Sequence, residues 1–180
     1  MRSLAHQAAI ARSDTIDRLT RSLADVLFAA SIAPPIYHYG APAAATGLEW
    51  LGTWSVAENL AHLAVYEEHV AAPILEAIVA GRDAAEDVNS VIESDYEAHW
   101  QALSKSPLDE IAQRLSGARS RQVDAVSAMS DDLFHAPTTT LWTDVLAADG
   151  HSAAWVAAKT LQHTWEHGNS ILCIALFAPA

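Results

Sequence analysis

The chain has 180 residues, of which 51% are hydrophobic and 18% charged, a composition that can bury a full core and excludes a disordered chain. A formal net charge of −12 repels phosphate backbones and argues against nucleic-acid binding. A single cysteine, no signal-peptide pattern at the start and no apolar run of about 20 residues predict a cytoplasmic protein without a membrane span. We expect one domain over residues 1–180.

The first part of the sequence predicts one long helix and one long connection. Hydrophobic residues recur at helical spacing over residues 3–31, and two prolines end the pattern at Pro34. Residues 33–54 are rich in proline, alanine and glycine and are predicted to connect two helices.

The second predicted helix has clear signals at both ends. Ser55 and Glu58 have the spacing of a capping box, so the helix is expected to begin at Ser55. Gly81 is a typical helix stop after Ala80. Pro73 lies inside the helix and predicts an interruption just before it, because proline removes one amide donor and clashes with the preceding turn.

Three further segments complete the helical pattern. Residues 88–104 have a moderate helical pattern. Ser106 is the predicted cap, and the proline after it the first residue, of a helix that runs to about Met129. A long connection over 130–151 then leads to a last helix over 152–177, with Ser152 as its predicted cap. The sequence therefore predicts an all-α fold, a four-helix bundle with long crossover connections.

Three histidines form a candidate metal site. His163 and His167 are one turn apart on the last predicted helix, so that both imidazoles can point at one ion. His62 lies at the margin of the apolar stripe of the second helix and can face the bundle interior. Three such ligands would leave a coordination position open, as in catalytic sites. The alternatives are a hydrogen-bonded boundary histidine at His62 and a surface pair at His163 and His167.

Three other residues are candidates for catalysis. Glu67 falls inside the apolar stripe, where an unpaired carboxylate is costly, so it either lies near the metal or lies where the stripe approaches solvent. Glu166 could orient a ligand histidine or act as a base, or it is a solvated neighbour. Tyr66 shares the strip of His62 and is the third candidate.

Two segments resemble the signatures of the DinB-like (DinB/YfiT-like) family. They are Trp54–Leu63, with the sequence WSVAENLAHL, and Gln162–Asn169, with the sequence QHTWEHGN. The resemblance implies a four-helix bundle with a divalent metal ion at His62, His163 and His167. It also implies activities of the kind found in that family, which includes thiol-dependent S-transferases and a mycothiol-dependent isomerase.

Together these observations give two functional hypotheses. The first is a divalent-metal-dependent enzyme, a transferase of the thiol S-transferase type or a hydrolase, that acts on a small-molecule substrate with or without a low-molecular-weight thiol as cofactor. The alternative is a non-catalytic, stress-associated bundle that only binds metal. Three imidazoles favour zinc or nickel over magnesium or calcium. The many apolar and tryptophan residues, with the family likeness, predict a homodimer.

Overall fold

The computed structural model describes residues 10–82, 96–137 and 152–179. All regular secondary structure within these ranges is helical, which confirms the predicted all-α class. The α-helices are α1 (Arg12–Ile32), α2 (Pro42–Thr46), α3 (Val56–Tyr66), α4 (Ala72–Ala80), α5 (Tyr96–Leu103), α6 (Leu108–Ala128), α7 (Asp131–His135) and α8 (Ala153–Phe177).

The long helices pack side by side as a bundle. Helix α8 lies against α1 and α3, and α6 lies against α1, α3 and α4. The short helices α2, α5 and α7 join the long ones, so a bundle of four helices alone is too simple a description. No helix within the described ranges is both long enough and apolar enough to cross a bilayer.

Helix α1 begins later than predicted. Residues 10 and 11 are not helical, and α1 starts at Arg12 instead of residue 3, while residues 3–9 lie outside the described part. The first buried residue of α1 is Thr15, one turn after its start. Neither Ile10 nor Ala11 is buried, so little packing favours an extension of the helix over these two residues.

The predicted capping box at the start of α3 is formed. Glu58 N donates to Ser55 Oγ at 3.2 Å, and Ser55 N donates to Glu58 Oε2 at 2.7 Å. At the other end of this helical segment, Gly81 adopts a left-handed conformation with φ 64°, as predicted for a helix stop.

A π-helical turn separates α3 from α4. It covers Glu67–Ala71, and the amide of Ala72 donates to the carbonyl of Glu67, five residues earlier. The predicted interruption before Pro73 therefore takes the form of a widened turn. A wider turn gives room where a proline ring would otherwise strike the preceding carbonyl of an α-helix.

The two predicted connections also contain helix. The first holds α2 and two 3-10 turns, Pro35–Tyr37 and Glu49–Leu51. The second, predicted over residues 130–151, begins with α7, and its residues 138–151 lie outside the described ranges. Residues 88–95 of the helical pattern predicted over 88–104 also lie outside them.

Two capping predictions had different outcomes. The predicted cap Ser106 makes no bond to a helix amide: its hydroxyl donates to Glu110, and Pro107 occupies the cap position of α6. The cap of α8 is present, because Ser152 Oγ accepts from Trp155 N at 3.2 Å.

The core consists of two apolar clusters with a polar layer between them. The buried members of the first cluster include Ile74, Leu75, Val126 and Phe134, and those of the second include Leu60, Leu63, Ile111 and Ile171. The side chains of the polar layer come from the π-helical turn, α6 and α8. Charged groups in such a layer stay ionised only if they are paired and hydrogen-bonded.

Helices α1 and α8 approach closely at Gly168. A Cβ atom at this position would lie 2.7 Å from Val26 Cγ2, closer than carbon atoms pack. Gly168 follows His167 directly in the sequence, so this close approach helps to set the position of the ligand-bearing part of α8.

Candidate metal centre

Three half-buried histidines from two packed helices meet at one point. His62 comes from α3, and His163 and His167 come from successive turns of α8. The ring centroid of His62 lies 4.8 Å from that of His163 and 4.7 Å from that of His167, and the last two are 4.7 Å apart. One nitrogen from each ring lies within 4.8 Å of the other two.

The hydrogen bonding of the rings fits metal ligands better than core histidines. Within the described residues, the buried Nδ1 atoms of His62 and His163 have no hydrogen-bond partner. Buried polar atoms in proteins are almost always paired, so an unpaired one needs a partner of another kind. A transition-metal ion is such a partner.

The electrostatics of the cluster keep the three rings neutral. Burial lowers the pKa of His62 to about 4, with a further contribution from the nearby His167. Burial lowers the pKa of His163 to about 3, and the two neighbouring histidines add to the effect. Burial also lowers the pKa of His167, although Glu166 opposes the shift. A neutral imidazole is the form that binds a metal ion.

Aromatic side chains enclose the histidine cluster on one side. The Trp54 ring stacks on His167 with centroids 5.4 Å apart and an interplanar angle of 19°, and it meets the edge of His62 at 5.2 Å. Trp100 lies 5.6 Å and Tyr96 5.8 Å from the His62 ring. Such a wall restricts the access of water to that side of the rings.

Glu67 lies in the polar layer of the core and is fully buried. Arg119 Nε donates to Glu67 Oε2 at 2.7 Å, and a second guanidinium nitrogen donates to Glu67 Oε1. Gln122 also donates to Oε2, at 2.7 Å. Burial raises the pKa of the Glu67 carboxyl, while the charge of Arg119 opposes the rise. Both oxygens are thus engaged in a buried ion pair.

The partner Arg119 was not identified from the sequence. Its five N–H donors are all used, by the two Glu67 oxygens, the carbonyl of Leu19, the hydroxyl of Ser22 and the hydroxyl of Thr164. The only sequence signal was its place among the inward-facing positions of α6. This arginine connects α1, the π-helical turn, α6 and α8.

The other two catalytic candidates differ in their surroundings. Glu166 is exposed and accepts a hydrogen bond from Gln162 at 2.9 Å. Tyr66 is buried, and its ring lies 4.6 Å from the ring of His163. Its hydroxyl lies near Thr160 but makes no hydrogen bond of normal geometry within the described residues. Burial and the charge of Glu67 raise the pKa of Tyr66, so the phenol is protonated.

Comparison with known proteins gives one family match. The family model described as the DinB superfamily matches residues 44–171, a range that includes all three histidines. No curated protein and no solved structure matches the chain.

Proposed function

The chain belongs to the DinB superfamily, and we propose that it is a divalent-metal-dependent enzyme in which His62, His163 and His167 hold the ion. The observation that carries this proposal is the convergence of three neutral imidazoles from two helices, two of them with unpaired buried nitrogens. Zinc or nickel suits three imidazole ligands, whereas magnesium and calcium require oxygen ligands.

The reaction class that fits this site best is transfer to or from a thiol, with hydrolysis of a small molecule as the second option. When bound, a divalent ion at such a site lowers the pKa of a coordinated thiol or water and so supplies a nucleophile at neutral pH. The three histidines hold and orient the ion. The aromatic wall of Trp54, Trp100 and Tyr96 limits the access of water and contacts the apolar part of a substrate.

Of the three catalytic candidates, Tyr66 has the most favourable position. Its ring contacts a ligand histidine, and its protonated, buried phenol has no hydrogen-bond partner of normal geometry within the described residues, so we infer that it donates to a group bound at the histidines. Glu67 is held by Arg119, and Glu166 faces solvent. Neither carboxylate is therefore in an arrangement that suits a general base at the histidines. This favours S-transfer, in which the thiol can be activated by the ion alone.

The surroundings of Glu67 and Glu166 also support a second candidate function. A non-catalytic, stress-associated metal-binding protein needs the three ligands but no base, and both candidate carboxylates have other surroundings. Turnover of thiol and electrophile by the metal-loaded protein separates the two functions. Loss of that turnover in Tyr66→Phe, with metal binding retained, would assign the enzyme function to this site.

The proposal includes the substrate, the cosubstrate, the location and the oligomeric state of the protein. We expect a small-molecule substrate, a low-molecular-weight thiol as the cosubstrate, a cytoplasmic location and a homodimer. Light scattering at micromolar concentration tests for the homodimer, because a dimer of the 19.3 kDa chain should give twice that mass.

The metal site itself is tested with protein prepared without a histidine tag. We expect one zinc or nickel ion per chain by elemental analysis, and loss of that ion in His62→Ala. His69→Ala is the matched control, because His69 follows on the same helical segment but its ring contacts His99 instead of the cluster. Full metal content in His62→Ala with unchanged affinity would refute the proposed ligand set.

A further inference from the structure

Asn59 is a buried polar side chain that contacts one of the three histidines. It lies on α3 one turn before His62 and is only 2% exposed. Its Oδ1 lies 2.9 Å from Nδ1 of His167, a residue of α8. This hydrogen bond joins the two ligand-bearing helices directly at the cluster.

Two backbone carbonyl groups at the start of α3 fix the orientation of the Asn59 amide. Its Nδ2 donates to the carbonyl oxygen of Ser55 at 2.9 Å and lies 3.4 Å from the carbonyl oxygen of Trp54. If the amide were turned round, Oδ1 would face these two carbonyl oxygens with no hydrogen between them. The amide oxygen therefore points at His167.

The protonation of the His167 ring follows from this orientation. An amide oxygen only accepts hydrogen bonds, so the proton of the neutral ring must lie on Nδ1. The lone pair is then on Nε2. His62 and His163 have no such partner for Nδ1 within the described residues. His167 is thus the member of the cluster whose tautomer and ring direction are set by the protein.

We propose that Asn59 is a positioning residue that holds His167 in the Nδ1–H tautomer, so that Nε2 is presented to the metal ion. This inference rests on the proposed function for the role of the ion, but the tautomer is a property of the protein alone. Partners of this kind orient ligand histidines in metal sites, and their loss typically weakens metal affinity by about 10–100-fold.

Two substitutions and one control separate this role from a structural one. Asn59→Leu removes both the acceptor for His167 and the donor to Ser55. Asn59→Asp keeps an acceptor at His167, loses the donor to Ser55 and adds a negative charge beside the ring. Ser55→Ala is the control, because it removes the cap of α3 and leaves the bond between Asn59 and His167 in place.

The first measurement is made on metal-free protein. Long-range proton–nitrogen correlation spectra at pH 7.5 report which ring nitrogen carries the proton, and a His167→Gln variant assigns the signals. We expect the Nδ1–H tautomer in the wild type, in Asn59→Asp and in Ser55→Ala, and a mixture of tautomers in Asn59→Leu. A wild-type His167 in the Nε2–H form would overturn the inference, even if Asn59→Leu fails to fold.

The second measurement is the dissociation constant for zinc in competition with a chelator. We expect a 10–100-fold increase for Asn59→Leu and less than about a 3-fold change for Asn59→Asp and Ser55→Ala. Equal affinity in Asn59→Leu and the wild type would overturn the inference while leaving the triad intact. If the wild type binds neither zinc nor nickel, the proposed function fails, and the tautomer measurement still decides the inference about Asn59.

Discussion

At the scale of single residues, Arg119 is a buried side chain that donates hydrogen bonds to groups on three other helical elements. It is 1% exposed, and its charge is balanced by Glu67, which is 0% exposed. A buried ion pair adds little net stability compared with apolar residues, but the removal of one partner leaves an uncompensated charge. Removal of one member of the pair should therefore destabilise the protein more than removal of both.

Glu67→Ala should lower the free energy of unfolding by about 3–5 kcal/mol in urea titrations, because Arg119 then stays buried without its counter-charge. The control is Glu76→Ala, which removes the partner of Arg121 in a half-exposed pair and should cost less than about 1 kcal/mol. The double variant Glu67→Leu/Arg119→Leu should recover most of the loss. Equal costs for Glu67→Ala and Glu76→Ala would contradict this account.

The histidine cluster makes a second prediction at this scale, for the metal-free protein. The pKa is about 4 for His62 and about 3 for His163 in the folded chain, while an unfolded histidine titrates near 6.5. Between these values the unfolded state binds more protons, so stability should fall as pH drops from about 6.5 toward 4. Above pH 7 both states are neutral at these residues, and the effect is absent.

Thermal melts at pH 7, 6 and 5 test this dependence in a range where exposed carboxylates remain mostly ionised. His163→Gln removes one of the groups with a lowered pKa and should reduce the slope. A melting temperature that is constant from pH 7 to 5, or a slope unaltered in His163→Gln, would count against neutral, desolvated rings.

At the scale of helices, local signals in the sequence predicted where helices begin and end, but the packing of one helix against another could not be predicted. Ser55, Gly81 and Ser152 act through bonds to their own turn, so their effects could be derived from the sequence. Arg119 was missed because its partners come from three other elements. The spacing of two histidines on α8 was readable, but their meeting with His62 depends on how α8 packs against α3, which helical periodicity does not specify.

The contact between α1 and α8 predicts the effect of one methyl group. Gly168→Ala should destabilise the protein, because its Cβ would lie 2.7 Å from the buried, β-branched Val26. Overpacking costs about 1–3 kcal/mol, against a gain of up to about 1 kcal/mol from replacing glycine in a helix. Gly117→Ala is the control: its Cβ meets nothing within 4 Å, so it should stabilise the protein.

A double-mutant cycle with Val26→Ala decides whether this contact is the cause. The cost of Gly168→Ala should be smaller in a Val26→Ala background, because the smaller side chain leaves room for the new methyl group. If Gly168→Ala and Gly117→Ala have the same effect on the melting temperature, the helices adjust freely and the close approach is not a constraint.

At the scale of the whole molecule, a bound ion would join two helices that are far apart in the sequence. Zinc at about 100 times its dissociation constant should therefore raise the free energy of unfolding by about 2.7 kcal/mol. Calorimetry with added zinc should show the rise, and a chelator should reverse it. Magnesium is the control ion and should have no effect, since it requires oxygen ligands. An equal rise with magnesium would mean that the ions act elsewhere.

The distribution of the ligands over two helices also has a kinetic consequence. Two of the three histidines are on α8 and one is on α3, so undocking α8 leaves at most two imidazoles on either part. The residence time of an ion at the cluster is then tied to the lifetime of the α8 contact with the bundle, and a loaded site would slow hydrogen exchange along α8. Exchange of one metal for another should accordingly be governed by helix opening instead of ligand chemistry alone.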